Sequence, residues 1–290
     1  MSLLGERVQE LRSDRMHGGS WMARRAVEAL VEVAETEAAS TTELLDRLVA
    51  AGRELAASRP GVGAVAGAVG RLLAAAHRQE HLPPDELRRL FQEEANALVA
   101  SRDRAAASIA IQLRERLQDA FVLTHSASAT VREALLHTPP EQVLCTVSAP
   151  YEEGRAFSES LREAGLDVEL VEDEDGAGAV SRVSLLLVGA DTVFLDGALC
   201  NKLGTRDLAQ TAADEGVPTI VACEVLKLAP IDSARAPELR EEKEVFDVTP
   251  GELVEQVVTE EGTVSSDEVR TLVERTPFLS EGYALLRGER

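Results

Sequence analysis

From residue 120 onward, short apolar runs alternate with segments of helical periodicity, and this alternation constrains the fold more than any other feature. The apolar runs fall at 121–124, 143–147, 168–171, 192–195 and 219–223. Helical segments fit between them at 128–136, 152–164, 179–188 and 205–215. Strands separated by helices need right-handed crossovers, which leave a parallel sheet covered on both faces. The expected architecture is α/β, with residues 120–290 forming a doubly wound, Rossmann-like parallel-sheet domain. Such sheets take ligands where strand carboxyl ends meet helix N-termini.

Before residue 120 the texture is helical. Met22, Ala26, Ala29, Leu30 and Val33 fall three and four apart on one stripe, and Leu44, Leu45, Leu48 and Leu55 repeat the pattern. A Pro60-Gly61 break precedes a helix of small residues over 62–76, which permits close backbone approach. Pro83-Pro84-Asp85 then opens a long helix reaching about Leu117. Residues 1–119 are therefore expected to form an N-terminal domain of four or five helices without a strand.

Composition narrows the function classes. No apolar run approaches the ~18 residues of a membrane helix, and residues 1–14 are charged, without a secretory apolar segment. Cys145, Cys200 and Cys223 form no CxxC pair and the histidines do not cluster, so neither a disulfide framework nor a zinc site is expected. The expected compartment is a reducing cytoplasm. A net charge of −21 disfavours binding to duplex DNA, which needs cations for its phosphates. Only Lys202, Lys227 and Lys243 among the 30 basic residues are lysine. A GC-rich genome would explain the arginine but not the acid, whereas a salt-loaded cytoplasm, which screens self-repulsion, explains the acid. The reading is a halophilic origin.

Three strand ends carry polar chemistry. Thr124-His125-Ser126-Ala127-Ser128 places hydroxyls between a strand and a helix, which by spacing alone reads first as a plain helix cap and second as an anion site. Asp196-Gly197 through Asn201-Lys202-Leu203-Gly204-Thr205 sets an acid after a strand and a rare lysine ahead of a helix. That arrangement suits a phosphate grip with Asp196 as proton carrier, or a turn with a solvated lysine. Glu224-Val225-Leu226-Lys227 puts a second rare lysine after a strand. The acidic stretch 172–176 reads as a solvated loop, and Thr249-Pro250-Gly251-Glu252 as a helix start. No Walker motif or GxGxxG is present.

In this order, these segments resemble the translation initiation factor 2B alpha/beta/delta family, which includes ribose-1,5-bisphosphate and methylthioribose-1-phosphate isomerases. Gly189-Ala190-Asp191 continuing to Asn201-Lys202-Leu203-Gly204-Thr205 looks like its most specific signature, and Phe246-Asp247-Val248-Thr249-Pro250 like its C-terminal hallmark. Gly18-Gly19-Ser20, Arg59-Pro60 and Arg155 occupy further family positions, and the chain is read as a haloarchaeal member. The resemblance implies phosphate binding by Gly18, Gly19, Arg59, Asn201, Lys202 and Lys227. It implies proton transfer by Asp196 and by the residue at position 126, with no metal and no cofactor. The isomerases carry cysteine where this chain has Ser126, arginine where it has His17, and arginine before proline where it has Ser148-Ala149-Pro150. A thiol exchanges protons near neutral pH and an unactivated serine hydroxyl does not. The resemblance therefore implies an initiation-factor-2B subunit-like protein with a non-catalytic pocket for a sugar phosphate or nucleotide monophosphate. The rival is an aldose–ketose isomerase. A homodimer or higher homo-oligomer, assembled through residues 120–290, and a translation-factor partner are further implied.

Overall fold

A computed structural model describes residues 3–15, 17–236 and 243–289, with residue 103 as backbone only. Among the described residues six helices precede the first strand: α1 (Leu3–Ser13), α2 (Gly19–Ala34), α3 (Thr41–Ala56), α4 (Gly63–His77), α5 (Pro84–Gln112) and α6 (Arg114–Leu117). Their starts follow local rules. The Ser40 hydroxyl accepts the Glu43 N–H at 3.2 Å ahead of α3, and Pro84 opens α5 with Asp85 and Glu86 in its first turn. The small residues of α4 are a packing requirement. A Cβ on Gly67 would lie 1.9 Å from the Leu226 carbonyl oxygen, and one on Gly70 3.1 Å from the Gly282 Cα.

The strands are β1 (Phe121–Thr124), β2 (Gln142–Thr146), β3 (Val168–Val171), β4 (Leu185–Val188), β5 (Thr192–Phe194) and β6 (Leu199–Lys202). They continue with β7 (Thr219–Ala222), β8 (Leu228–Ala229), β9 (Phe246–Thr249), β10 (Gln256–Thr259) and β11 (Gly262–Ser265). Between and after them lie α7 (Ala129–His137), α8 (Glu153–Glu163), α9 (Gly176–Val180), α10 (Thr205–Glu215), α11 (Val269–Glu274) and α12 (Pro277–Arg287). The main sheet runs β11-β10-β7-β4-β1-β2-β3, parallel throughout except for the β10–β11 hairpin. Side chains alternate across it. Val122, Val143 and Cys145 face α7, α8 and the end of α5, while Leu123, Leu144 and Val188 face α9, α10 and α11. The strand order reverses between β1 and β4, so the crevice beyond their carboxyl ends is the topological switch point.

Several expectations are corrected. The segment 179–188 is not a helix: α9 stops at Val180, and Leu185–Val188 is the buried strand β4 at the sheet centre. A strand covered on both faces is uniformly apolar, and so short a run carries no period that separates it from helix. The run 192–195 joins a second sheet, ordered β8-β5-β6-β9, rather than the main one. The acidic stretch is a helical turn at Asp173–Asp175 running into α9, and Asp173 accepts the Ser148 and Ala149 N–H groups at 2.8 and 2.7 Å. The expected helix start at 249–252 yields one 3-10 turn, Gly251–Leu253. The last helix, α12, returns to pack on α4, and Phe194, Cys200, Leu226 and Phe246 join the core of the helical layer. No helix among the described residues is long and apolar enough to cross a membrane.

Candidate functional site

Beyond the carboxyl ends of β1 and β4 lies a cavity of ≈ 360 Å³. The structure brings Gly18, Gly19, Arg59, Ser126, Asn201, Lys202 and Lys227 to its wall. Gly18 precedes α2 and supplies no side-chain cap, so the first turn of that helix faces the cavity through Gly19 and Ser20. Arg59, buried in the turn before α4, donates to the Asp14 carbonyl at 2.7 Å, its guanidinium 6.0 Å from the Phe246 ring centre.

The β1 end is tightly organised. Ser126 and Ser148 both have left-handed backbones, φ +66° and +67°, at adjoining strand ends, and the Ser126 N–H donates to the Ser148 hydroxyl at 2.8 Å. Two such non-glycine residues side by side mark a constrained site. His125 points elsewhere. Its Nε2 faces the Leu203 carbonyl at 3.0 Å and so carries the proton, leaving Nδ1 to accept from the Thr146 hydroxyl at 2.6 Å. Burial holds the imidazole below its ordinary value. His125 is thus a satisfied neutral group and not a base for Ser126. The Ser126 hydroxyl donates to Glu153 Oε1 at 2.7 Å, and Lys202 Nζ approaches the same oxygen at 2.8 Å. Lys202 also lies 4.6 Å from the Tyr151 ring centre.

Asp196 does not belong to the cavity. It sits in the β5–β6 hairpin turn, ahead of Gly197 with φ +71°, and accepts from the Ser233 hydroxyl at 2.6 Å and the Ser233 N–H at 3.0 Å. Asp-Gly is a strong hairpin signal, and here it serves that purpose. The aspartate that does line the cavity is Asp191, beyond the end of β4. Asp196→Asn should lower stability by ~1 kcal/mol, the scale of one weakened hydrogen bond. It should leave ligand affinity unchanged, which denaturant unfolding and calorimetry of the same variant would check.

The helix after Gly204 is also not the anion site expected of it. Asp247 already caps α10, accepting the Gly204 N–H at 2.7 Å and the Arg206 N–H at 3.2 Å. Burial pushes the Asp247 carboxyl up to about 6. Asn201 turns its amide to the Thr205 hydroxyl at 3.1 Å. Arg155 lies on the surface between Glu152 and Glu172.

Other wall residues escaped the sequence reading. Arg15, Arg24 and Arg102 join Arg59, Lys202 and Lys227, making six cationic side chains against two carboxylates, Glu153 and Asp191. Arg102 comes from the middle of α5, where no local pattern marks it. A buried network supports this wall. Glu224 accepts the Ser20 hydroxyl at 3.2 Å and lies 3.7 Å from Lys227 Nζ, and Arg102 donates to the Ser20 carbonyl at 2.9 Å. Burial alone would raise the Glu224 carboxyl, yet Lys227 and Arg102 hold it below its ordinary value. The three cysteines are buried away from the cavity, and burial pushes the thiols of Cys145 and Cys223 up to about 12.

Fold and cavity together define a doubly wound α/β protein with a cation-rich pocket at its switch point. The chain belongs to the Initiation factor 2 subunit family, whose family model matches residues 15–245. A ribose 1,5-bisphosphate isomerase of Archaeoglobus fulgidus is 28% identical over 283 residues, covering 89% of this chain and 88% of that protein. A translation initiation factor eIF-2B subunit 2-like protein of Pyrococcus horikoshii is 30% identical over 283 residues, covering 90% of this chain and 98% of the relative. The tetrameric eIF2B-beta2-delta2 complex from C. thermophilum shares the fold, with a TM-score of 0.82 at 21% identity over 94% of this chain and 93% of that one. The family thus includes both initiation-factor-2B-like proteins and ribose-phosphate isomerases.

Proposed function

We propose that this chain is an initiation-factor-2B subunit-like protein that binds a phosphorylated small molecule, a sugar phosphate or nucleoside monophosphate, without isomerising it. The observation that carries the reading is the sign of the cavity. A protein of net charge −21 gathers six cationic side chains around one pocket holding two carboxylates. Glu153, Glu224 and Glu28 pair with Lys202, Lys227 and Arg24, yet repulsion within so dense a cluster of cations stays costly unless a further anion compensates it. Arg59, Lys227 and the first turn of α2 are the groups that hold the phosphate in this reading.

Proton transfer between adjacent sugar carbons needs a group that gains and loses a proton near neutral pH. At position 126 the chain offers a hydroxyl already donating to Glu153, with His125 turned away from it. One observation favours the isomerase alternative: Asp191 and Ser126 share the cavity wall. Incubation with ribose 1,5-bisphosphate and methylthioribose 1-phosphate separates the two. The reading expects no ketose product, and turnover that vanished in Asp191→Asn would establish the isomerase.

The same reading includes self-association through residues 120–290, beside a helical unit of residues 1–119. The fold-sharing eIF2B complex is tetrameric, and Tyr151 and Leu203, large and exposed, lie beside the cavity. Sedimentation of the full chain as a monomer would remove this part. A translation-factor partner remains part of the proposal through the eIF-2B-like relatives alone.

A further inference from the structure

We propose that Glu153 restricts this cavity to ligands with a single phosphate group by matching the charge of Lys202; the inference rests on the phosphate-binding reading above. Glu153 is the first residue of α8, and the next residue locks it in place. Gly154 lies so close to the end of β2 that a Cβ there would fall 1.8 Å from the Thr146 carbonyl oxygen. Glu153 Oε1 then receives both the Ser126 hydroxyl at 2.7 Å and Lys202 Nζ at 2.8 Å. The pair is poorly hydrated, its side chains 21% and 7% exposed, and Glu153 Oε2 is buried with no hydrogen-bond partner.

Breaking a desolvated ion pair strands a charge in a poorly solvated place, so a ligand does not easily draw Lys202 off its carboxylate. The corner formed by Ser126, Tyr151, Glu153 and Lys202 is therefore electrically neutral in sum. A phosphate placed there would meet the Glu153 carboxylate as a like charge, whereas an uncharged hydroxylated portion would not. Lys227 differs from Lys202: it stands 3.7 Å from Glu224, beyond hydrogen-bond distance, and Glu224 is shared with Arg102, so that group keeps a positive charge which, with Arg59, serves one phosphate elsewhere in the cavity. At ≈ 360 Å³ the cavity is of a size for a small phosphate monoester.

The test is calorimetric titration of the full chain, wild type and Glu153→Gln, with ribose 5-phosphate and with ribose 1,5-bisphosphate at one fixed ionic strength. The wild type should prefer the monophosphate by about tenfold or more, the scale of one unfavourable charge contact. Glu153→Gln keeps an acceptor for Ser126 but leaves Lys202 uncompensated. It should gain at least about tenfold for the bisphosphate, with ribose 5-phosphate changing by no more than about threefold. Equal wild-type affinity for the two sugars, or a preference for the bisphosphate, overturns the proposal while leaving phosphate binding intact. So does a variant that folds yet keeps the wild-type ratio. If the variant does not fold, the wild-type ratio decides. Failure of the wild type to bind either compound overturns the phosphate reading itself, and the proposal with it.

Discussion

Gly154→Ala is expected to cost several kcal/mol of stability, on the order of 3–5, and to dismantle one corner of the cavity. The obstacle is backbone on both sides. The added Cβ would lie 1.8 Å from the Thr146 carbonyl oxygen and 2.9 Å from that of Val147, neither of which can rotate away. Relief requires α8 to lift from the end of β2. That movement also breaks the Gly154 N–H bond to the Val147 carbonyl, 3.0 Å in the folded chain, and displaces Glu153 from Ser126 and Lys202. Gly178→Ala is the matched control: it lies within α9, with no atom within 4 Å of the added Cβ. It should be neutral or stabilising by up to ~1 kcal/mol, because alanine narrows the unfolded ensemble. Urea unfolding of the two variants beside the wild type reads the difference directly. Equal midpoints would show that α8 has slack that the packing denies.

Arg59→Met should weaken binding of ribose 5-phosphate by about 10-fold to over 100-fold, from the ~1.5–3 kcal/mol typical of hydrogen bonds to charged groups. Methionine keeps an unbranched apolar side chain in the buried turn and removes the guanidinium that lies over Phe246. The Asp14 carbonyl also loses one of its donors, Arg15 remaining at 2.8 Å, so a modest loss of stability should accompany the loss of affinity. Arg59→Lys separates the two effects. It retains charge without the planar fork, so its affinity should fall between those of wild type and Arg59→Met. Calorimetry on the three proteins checks the order. A methionine variant that bound as well as the wild type would remove Arg59 from the phosphate site.

The legible part of this fold was the part governed by period and punctuation. The helices α2 to α4, the strands β1 to β3 and β7, and the helices α7, α8 and α10 all follow apolar spacing and caps, and the structure places them within a residue or two of expectation, whereas the long helix expected to reach Leu117 ends at Gln112 and is followed by the short α6. The illegible part was set by burial and long-range pairing. Leu185–Val188 has no polar face because both of its faces are covered, and taking it for helix concealed the strand end that carries Asp191. The acid that follows the next apolar run, Asp196, belongs instead to an Asp-Gly turn set by hairpin geometry. The second sheet pairs β5 and β6 with β8 and β9, whose partners lie about 30 to 50 residues further along the chain. Such pairing leaves no local trace. The cavity was half legible. Rare lysines after strands pointed to Lys202 and Lys227, and the family resemblance to Gly18 and Gly19, but Arg102 arrives from mid-helix and Glu153 from a loop-to-helix step. The capping of α10 by Asp247 was equally hidden, since the two lie some 40 residues apart.

In the proposed function the cation-rich cavity holds a phosphate. The most direct test is calorimetric titration of the unmodified full chain with ribose 5-phosphate and, in parallel, with ribose. The account predicts saturable binding of one ribose 5-phosphate per chain, weakening as salt rises because the contact is ionic, and no detectable binding of ribose. Equal binding of the two sugars, or binding of neither, would contradict it.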